Sequence, residues 1–209
     1  MWFKRKHAKE TDVLGLRLSS PVGSREKMYP GAGFVTLTPP SDGVLNWIQE
    51  LGQYRHESAI AVNISADIIR NFSLVYDFAD LIIIDPDGDN GIDSPDLADT
   101  SQLIDEVVSL RLCYENYTPV ALRLSHGHTP DEIKAILDHC RMSGIDAIVA
   151  PGAAKVRFVA SQTAGRLPII GSAESIEETI DSFSGGACLA EAKIGRFSFK
   201  KLLKKISEQ

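Results

Sequence analysis

The chain has 209 residues, 44% of them apolar and 24% charged, with a formal net charge of −6. That length suits one sizeable core better than two small ones, and the balance is ordinary for a folded globular protein. An acidic chain argues against a duplex nucleic-acid binder, which carries a basic face.

No apolar run approaches the ~20 residues of a membrane span. The charged start at residues 1–7 lacks the apolar segment and small-residue cleavage site of a secretory leader. Three cysteines, Cys113, Cys140 and Cys188, have no CxxC spacing and cannot all pair, so reduced thiols in a cytoplasmic protein are expected.

In chain order, short β-branched apolar runs alternate with longer helical patterns. Strands are expected over 34–37, 59–64, 81–84, 119–124, 147–150, 168–171 and 187–190, with a shorter piece at 20–23 as an eighth. Helices are expected between them, over 43–51, 66–78, 100–113, 130–143, 154–163, 175–183 and 197–207. The central strands are continuously apolar, as in a parallel sheet covered on both faces. Repeated strand–helix units of this kind predict an α/β fold, a (β/α)8 TIM barrel. The whole of 1–209 reads as one domain, with 1–11 as an N-terminal extension. Barrels of this type run to ~250 residues, so shortened loops are expected.

Local signals agree. Thr129-Pro130-Asp131-Glu132 supplies a cap, a first-turn proline and two carboxylates, and Ser143-Gly144 ends the same helix. In the tail, helical spacing turns Phe197, Leu202, Leu203 and Ile206 inward and the lysines of 200–205 outward, which is a solvated last helix and not a membrane or nucleic-acid patch.

Chemistry in a barrel sits at the carboxyl ends of the strands. Five ordered stretches around those ends carry a resemblance: 13–23, 78–81, 118–124 with 144–148, 165–171, and 185–189. In residue type and spacing they resemble the dihydroorotate dehydrogenases, most nearly the membrane-associated class 2 branch, over roughly residues 12–207. The resemblance implies FMN in the barrel mouth, oxidation of dihydroorotate to orotate in pyrimidine biosynthesis, and an active-site base.

Matched position by position, the resemblance places the base, a serine in that branch, on Gly88, so no catalytic residue is carried over. The flavin-facing asparagine falls on Asp85, and Asn90 keeps the type of the substrate-binding asparagine. Thr36 and Asn63 keep flavin-contact types. The family lysine reaching the flavin falls on Arg123, which keeps the charge but not the compact shape. Gly171 and Gly186 match phosphate-cradle glycines, and Lys193 falls on the site of a tyrosine, where it could meet a phosphate. Against these stand Pro151-Gly152-Ala153 in place of Thr-Asn-Thr and Glu174 in the cradle. Proline has no N–H to donate, and a carboxylate repels a phosphate.

Two other motifs compete with this resemblance. Residues 85–96 place carboxylates Asp85, Asp87 and Asp89 at alternate positions as a calcium loop does. The turn glycine is one place late and a strand precedes the loop, so a polar capping loop is the plainer reading and no metal is expected. His126-Gly127-His128 lacks a third ligand and reads as a solvent-exposed loop. The expectation is therefore a dihydroorotate dehydrogenase-like barrel, in effect a pseudoenzyme, that has lost its oxidation and keeps a binding or regulatory role. A homo-oligomer, a protein partner or a phosphorylated small molecule would be its counterpart. The alternative is an FMN-dependent oxidoreductase with an altered substrate, using Arg123, Lys193 and Asp87.

Overall fold

The computed structural model describes residues 14–17, 32–40, 42–51, 58–66, 69, 72–87, 97–115 and 117–207. Its strands are β1 (Leu14–Arg17), β2 (Phe34–Leu37), β3 (Ala59–Ile64), β4 (Leu81–Ile84), β5 (Val120–Arg123), β6 (Ala147–Pro151), β7 (Ile169–Ala173) and β8 (Leu189–Ala192). Every pairing is parallel and sequential, and β8 returns to β1, which closes the sheet. Among the described residues, seven helices lie between and after the strands: α1 (Val44–Leu51), α2 (Phe72–Phe78), α3 (Leu97–Arg111), α4 (Pro130–Ser143), α5 (Gly152–Thr163), α6 (Ile176–Ser184) and α7 (Arg196–Ser207). The fold is an α/β barrel. The connection from β1 to β2 lies outside the described residues.

Strand β1 falls earlier in the chain than the expected piece at 20–23, which is itself outside the described residues. A glycine makes the earlier site work. The ring of Phe34 on β2 occupies the space that a Cβ at Gly15 would need, so β1 can lie beside β2 with Phe34 filling the barrel floor.

Alternation along the strands creates two apolar clusters. The outer one packs Val35, Val62, Ile82, Leu122 and Ile148 against Trp47, Val75, Ile104, Ile136 and Val156 of the helices. The inner one stacks Phe34, Ala59, Ala61, Leu81, Ile83, Ala121, Ala147, Val149 and Ile170, with Leu189 against them. Small alanines between large side chains let these layers interdigitate inside the closed sheet.

The ends of α4 follow the sequence closely, whereas α2 starts at Phe72 instead of 66 and α3 spans Leu97–Arg111 instead of 100–113. Thr129 and Glu132 form a reciprocal capping box on α4, and Gly144 ends it in the left-handed region at φ 78°. In α7, Phe199 and Leu202 are buried while Lys200, Lys201, Lys204 and Lys205 are exposed. The inward stripe is thus centred on Phe199 and Leu202; Leu203 and Ile206 are half-buried, and the side chain of Phe197 is outside the described residues. Among the described residues, no helix is long and apolar enough to cross a membrane.

Candidate functional site

Two residues beyond the inner apolar layer, the same strands change character. Thr36, Asn63, Asp85, Arg123, Ser172 and Glu191 continue the inward-facing rows of β2, β3, β4, β5, β7 and β8. All but the half-buried Ser172 are buried, and Glu191 has 0% exposure. The barrel interior is therefore hydrocarbon at its amino end and ionic at its carboxyl end, where function in this architecture resides.

Arg123 is the centre of that ionic layer. Its Nη1 donates to Glu191 Oε1 at 2.6 Å and to Ser172 Oγ at 3.2 Å, and its Nη2 donates to Asn63 Oδ1 at 3.2 Å. Its Nε lies 3.1 Å from Asp85 Oδ2. Burial disfavours the guanidinium charge, but Glu191 and then Asp85 outweigh burial, and the Arg123 pKa stands above its ordinary value.

Glu191 is equally engaged. Ser172 Oγ donates to its Oε1 at 2.8 Å and Thr36 Oγ1 to its Oε2 at 2.6 Å. Asn63 completes the ring by donating from Nδ2 to Thr38 Oγ1 at 3.1 Å. A carboxylate this deep is sustained only by a full set of donors and a countercharge, and both are present.

The remaining sequence candidates divide. Thr36, Asn63 and Arg123 are brought together, but they face one another. Lys193 follows β8 at the mouth, with its side chain exposed and its N–H donating to Ala173 O at 2.8 Å. Gly171 is not a mouth residue. A Cβ there would stand 2.6 Å from Ser182 Cβ, so this glycine lets α6 press against the outer face of β7. Gly186, with φ at +107°, turns the chain from α6 into β8. That turn is at the amino end of the strands, opposite the mouth, and the expectation of a cradle glycine there is corrected. Gly88, Asp89 and Asn90 lie outside the described residues. Asp85 ends β4 pointing at Arg123, which removes the first ligand of the calcium-loop reading. Among the described residues, no group of three or more His, Cys, Asp or Glu side chains could hold a metal.

Where the resemblance implies a phosphate cradle, the chain supplies its own anion. Glu178 Oε2 accepts from the Glu174 N–H at 2.9 Å, and Ser175 Oγ accepts from the Glu178 N–H at 3.1 Å. A Cβ on Gly152, at the start of α5, would meet Glu178 Oε1 at 3.0 Å. The Glu178 carboxylate thus sits at the amino end of α6, close to that of α5, where helix dipoles favour negative charge. Pro151, which ends β6, contributes no N–H.

Beside the ionic layer, Lys155 of α5 directs its ammonium into three backbone carbonyls: Ser125 O at 2.8 Å, His128 O at 2.9 Å and His126 O at 3.0 Å. Burial lowers its pKa, opposed by Asp87 and Glu132. The β5–α4 loop that it holds is only partly solvent-exposed as expected. His126 is exposed, but His128 is 6% exposed, with Nδ1 accepting from the Ser125 N–H at 3.1 Å. All three cysteines were expected to pack, but only Cys140 is buried, where burial pushes its thiol up to about 12, while Cys113 and Cys188 are exposed.

Glu191, Ser172 and Thr38 are the site residues that sequence reasoning did not single out. The signal was there in the alternation of Leu189-Ala190-Glu191-Ala192, but an acid after an apolar run suggests that the strand has ended. Strand β8 starts two residues later than expected, because the Gly185-Gly186 turn and the Cys188 N–H pairing with Ile169 O occupy 185–188. The shift carries Glu191 into the sheet.

No protein-family model and no curated protein sequence matches the chain. Solved structures do. A ligand-free DHODH from Eimeria tenella superposes with TM-score 0.71 at 13% identity, covering 93% of this chain and 82% of that one. The same organism's DHODH in complex with ferulenol gives 0.69, also at 13% identity, over 93% and 79%. QR15, an aldolase, gives 0.62 at 16% identity over 84% and 83%. A truncated 3-deoxy-D-arabino-heptulosonate 7-phosphate synthase from Thermotoga maritima gives 0.60 at 14% identity over 85% and 76%. Similarity at these identities, spread over unlike chemistries, establishes the barrel fold and leaves function to the site.

Proposed function

We propose that the chain is a single-domain (β/α)8 barrel of the dihydroorotate dehydrogenase type that has lost dihydroorotate oxidation and acts as a binding or regulatory protein, without FMN. The observation that carries this reading is the internal neutralisation of Arg123. In the resemblance, this position offers a cation to the flavin; here the guanidinium is spent on Glu191 and Asp85. Thr36 and Asn63, the other flavin-contact types, are bonded within the same cluster. The Glu178 carboxylate stands where a phosphate would need donors. The residues present therefore do not fit FMN, and no hydride or proton step is assigned to them. Strand β6 passes into α5 with no residue between them, which supports the shortened loops.

The alternative of an FMN oxidoreductase with another substrate draws on Lys193, a mouth cation exposed to solvent. A visible absorption spectrum of the purified full-length chain, followed by a dihydroorotate oxidation assay with added FMN, separates the two. The proposal expects no flavin bands and no orotate. Stoichiometric flavin on the purified protein, or orotate formed above a no-enzyme control, refutes it.

A further inference from the structure

We propose that the β5–α4 loop at the barrel mouth is a proton-operated latch, closed by neutral His128 with Lys155 and released when His128 gains a proton. This goes beyond the functional proposal and stands or falls separately from it.

The geometry dictates the direction. The Ser125 N–H donates to His128 Nδ1, so that nitrogen must carry a lone pair and no proton. Imidazolium carries a proton on both nitrogens and has no acceptor to offer. Protonation therefore breaks the bond that folds residues 125–128 on themselves, a turn also held by the Gly127 N–H on Ser125 Oγ at 3.1 Å. His128 is nearly fully buried, so the new charge also loses hydration.

The charged surroundings are specific. From α5, Lys155 places its ammonium 2.9 Å from His128 O and uses two more contacts on Ser125 O and His126 O. From α4, Glu132 interacts electrostatically with His128 and keeps its negative charge while accepting from the Thr129 N–H at 2.7 Å and the Thr129 hydroxyl at 2.8 Å, so it favours the imidazolium. From the β4–α3 connection, Asp87 faces Lys155. His126, on the same loop, is exposed. Among the described residues, the cation in contact with the loop backbone is thus Lys155, which opposes a second positive charge. Protonation thus removes the Ser125 bond and leaves the Lys155 contacts to hold the loop.

Histidine ordinarily titrates near neutrality, so acidification that protonates His128 would open the loop that carries Ser125, two residues beyond Arg123. The test uses the full-length protein and two variants, read by NMR of the His128 ring nitrogens and by amide exchange corrected for intrinsic pH dependence. In the wild type, protection of the Ser125 amide should fall by about tenfold or more, the order expected for losing one hydrogen bond, as His128 titrates. In His128→Asn, whose Oδ1 can replace Nδ1 as acceptor without titrating, protection should stay constant over the same range. In Lys155→Met, the loop should be less protected at every pH, and His128 should protonate more readily. Ser125 protection that does not change as His128 titrates, or that falls equally in His128→Asn, overturns the latch. So does a His128 that stays neutral down to about pH 5, well below its ordinary range.

Discussion

Arg123 binds the mouth together because one buried guanidinium answers two buried carboxylates, and removing it leaves both unanswered. Arg123→Ala should destabilise the fold by about 3–5 kcal/mol, the range for breaking a buried ion pair on one side. Arg123→Lys should recover only part of this, because an ammonium cannot reach Glu191, Asp85 and Asn63 in the planar fork that Arg123 uses. Chemical denaturation of the three proteins at neutral pH measures both differences. Equal stability of Arg123→Ala and wild type would show that the cluster is incidental to the fold.

Legibility at this scale followed chemistry. Arg123, Asn63 and Thr36 were visible in the sequence because each is a lone polar residue in an otherwise apolar strand. Their mutual engagement was not, because it depends on Glu191, 68 positions from Arg123 in the chain. Only the closed sheet brings the inward faces of those two strands together inside the barrel. Gly171 and Gly186 were misread for a related reason: a glycine at a sheet–helix contact or in a turn looks, in sequence, like one lining a phosphate site.

At the scale of elements, α4 shows how far local physics reaches. Its bounds were readable from Thr129, Pro130 and Gly144 because capping, ring constraint and left-handed backbone are local properties. Thr129→Ala should cost about 1 kcal/mol, the usual value of a side-chain N-cap. The pH dependence has a definite sign. The Thr129 N–H and hydroxyl hold the Glu132 pKa below its ordinary value. A lowered carboxylate pKa contributes stability that is present above the unfolded-state pKa and is lost as pH falls through the folded-state value. The difference between wild type and Thr129→Ala should therefore shrink on acidification through the carboxylate range, which denaturation curves at several pH values will measure. A difference that grows on acidification would contradict the capping box.

The same scale explains the displaced ends. Strand β1 depends on Gly15 making room for a ring from β2, a long-range fit that no local pattern announces. Strand β8 was placed two residues early because its polar inner residue breaks the apolar run. The β5–α4 loop was expected in solvent because histidine and glycine are common there, yet a lysine from the next helix draws it in.

For the whole molecule, the α/β class was legible from repeated β–α alternation, since continuously apolar strands with helices between them make a parallel sheet covered on both faces, and eight such units favour closure. Function was less legible, because the same architecture hosts unlike reactions and the solved structures that resemble this chain include a DHODH, an aldolase and a synthase. This barrel has a mouth whose polar groups answer one another: Arg123 with Glu191 and Asp85, Thr36 with Glu191, and Glu178 with the start of α6. Fluorescence anisotropy of FMN titrated with the purified chain tests that account most directly. The self-satisfied mouth predicts no saturable rise in anisotropy up to about 1 mM protein; a one-to-one isotherm with a Kd near about 1 μM, worth roughly 8 kcal/mol, would contradict it.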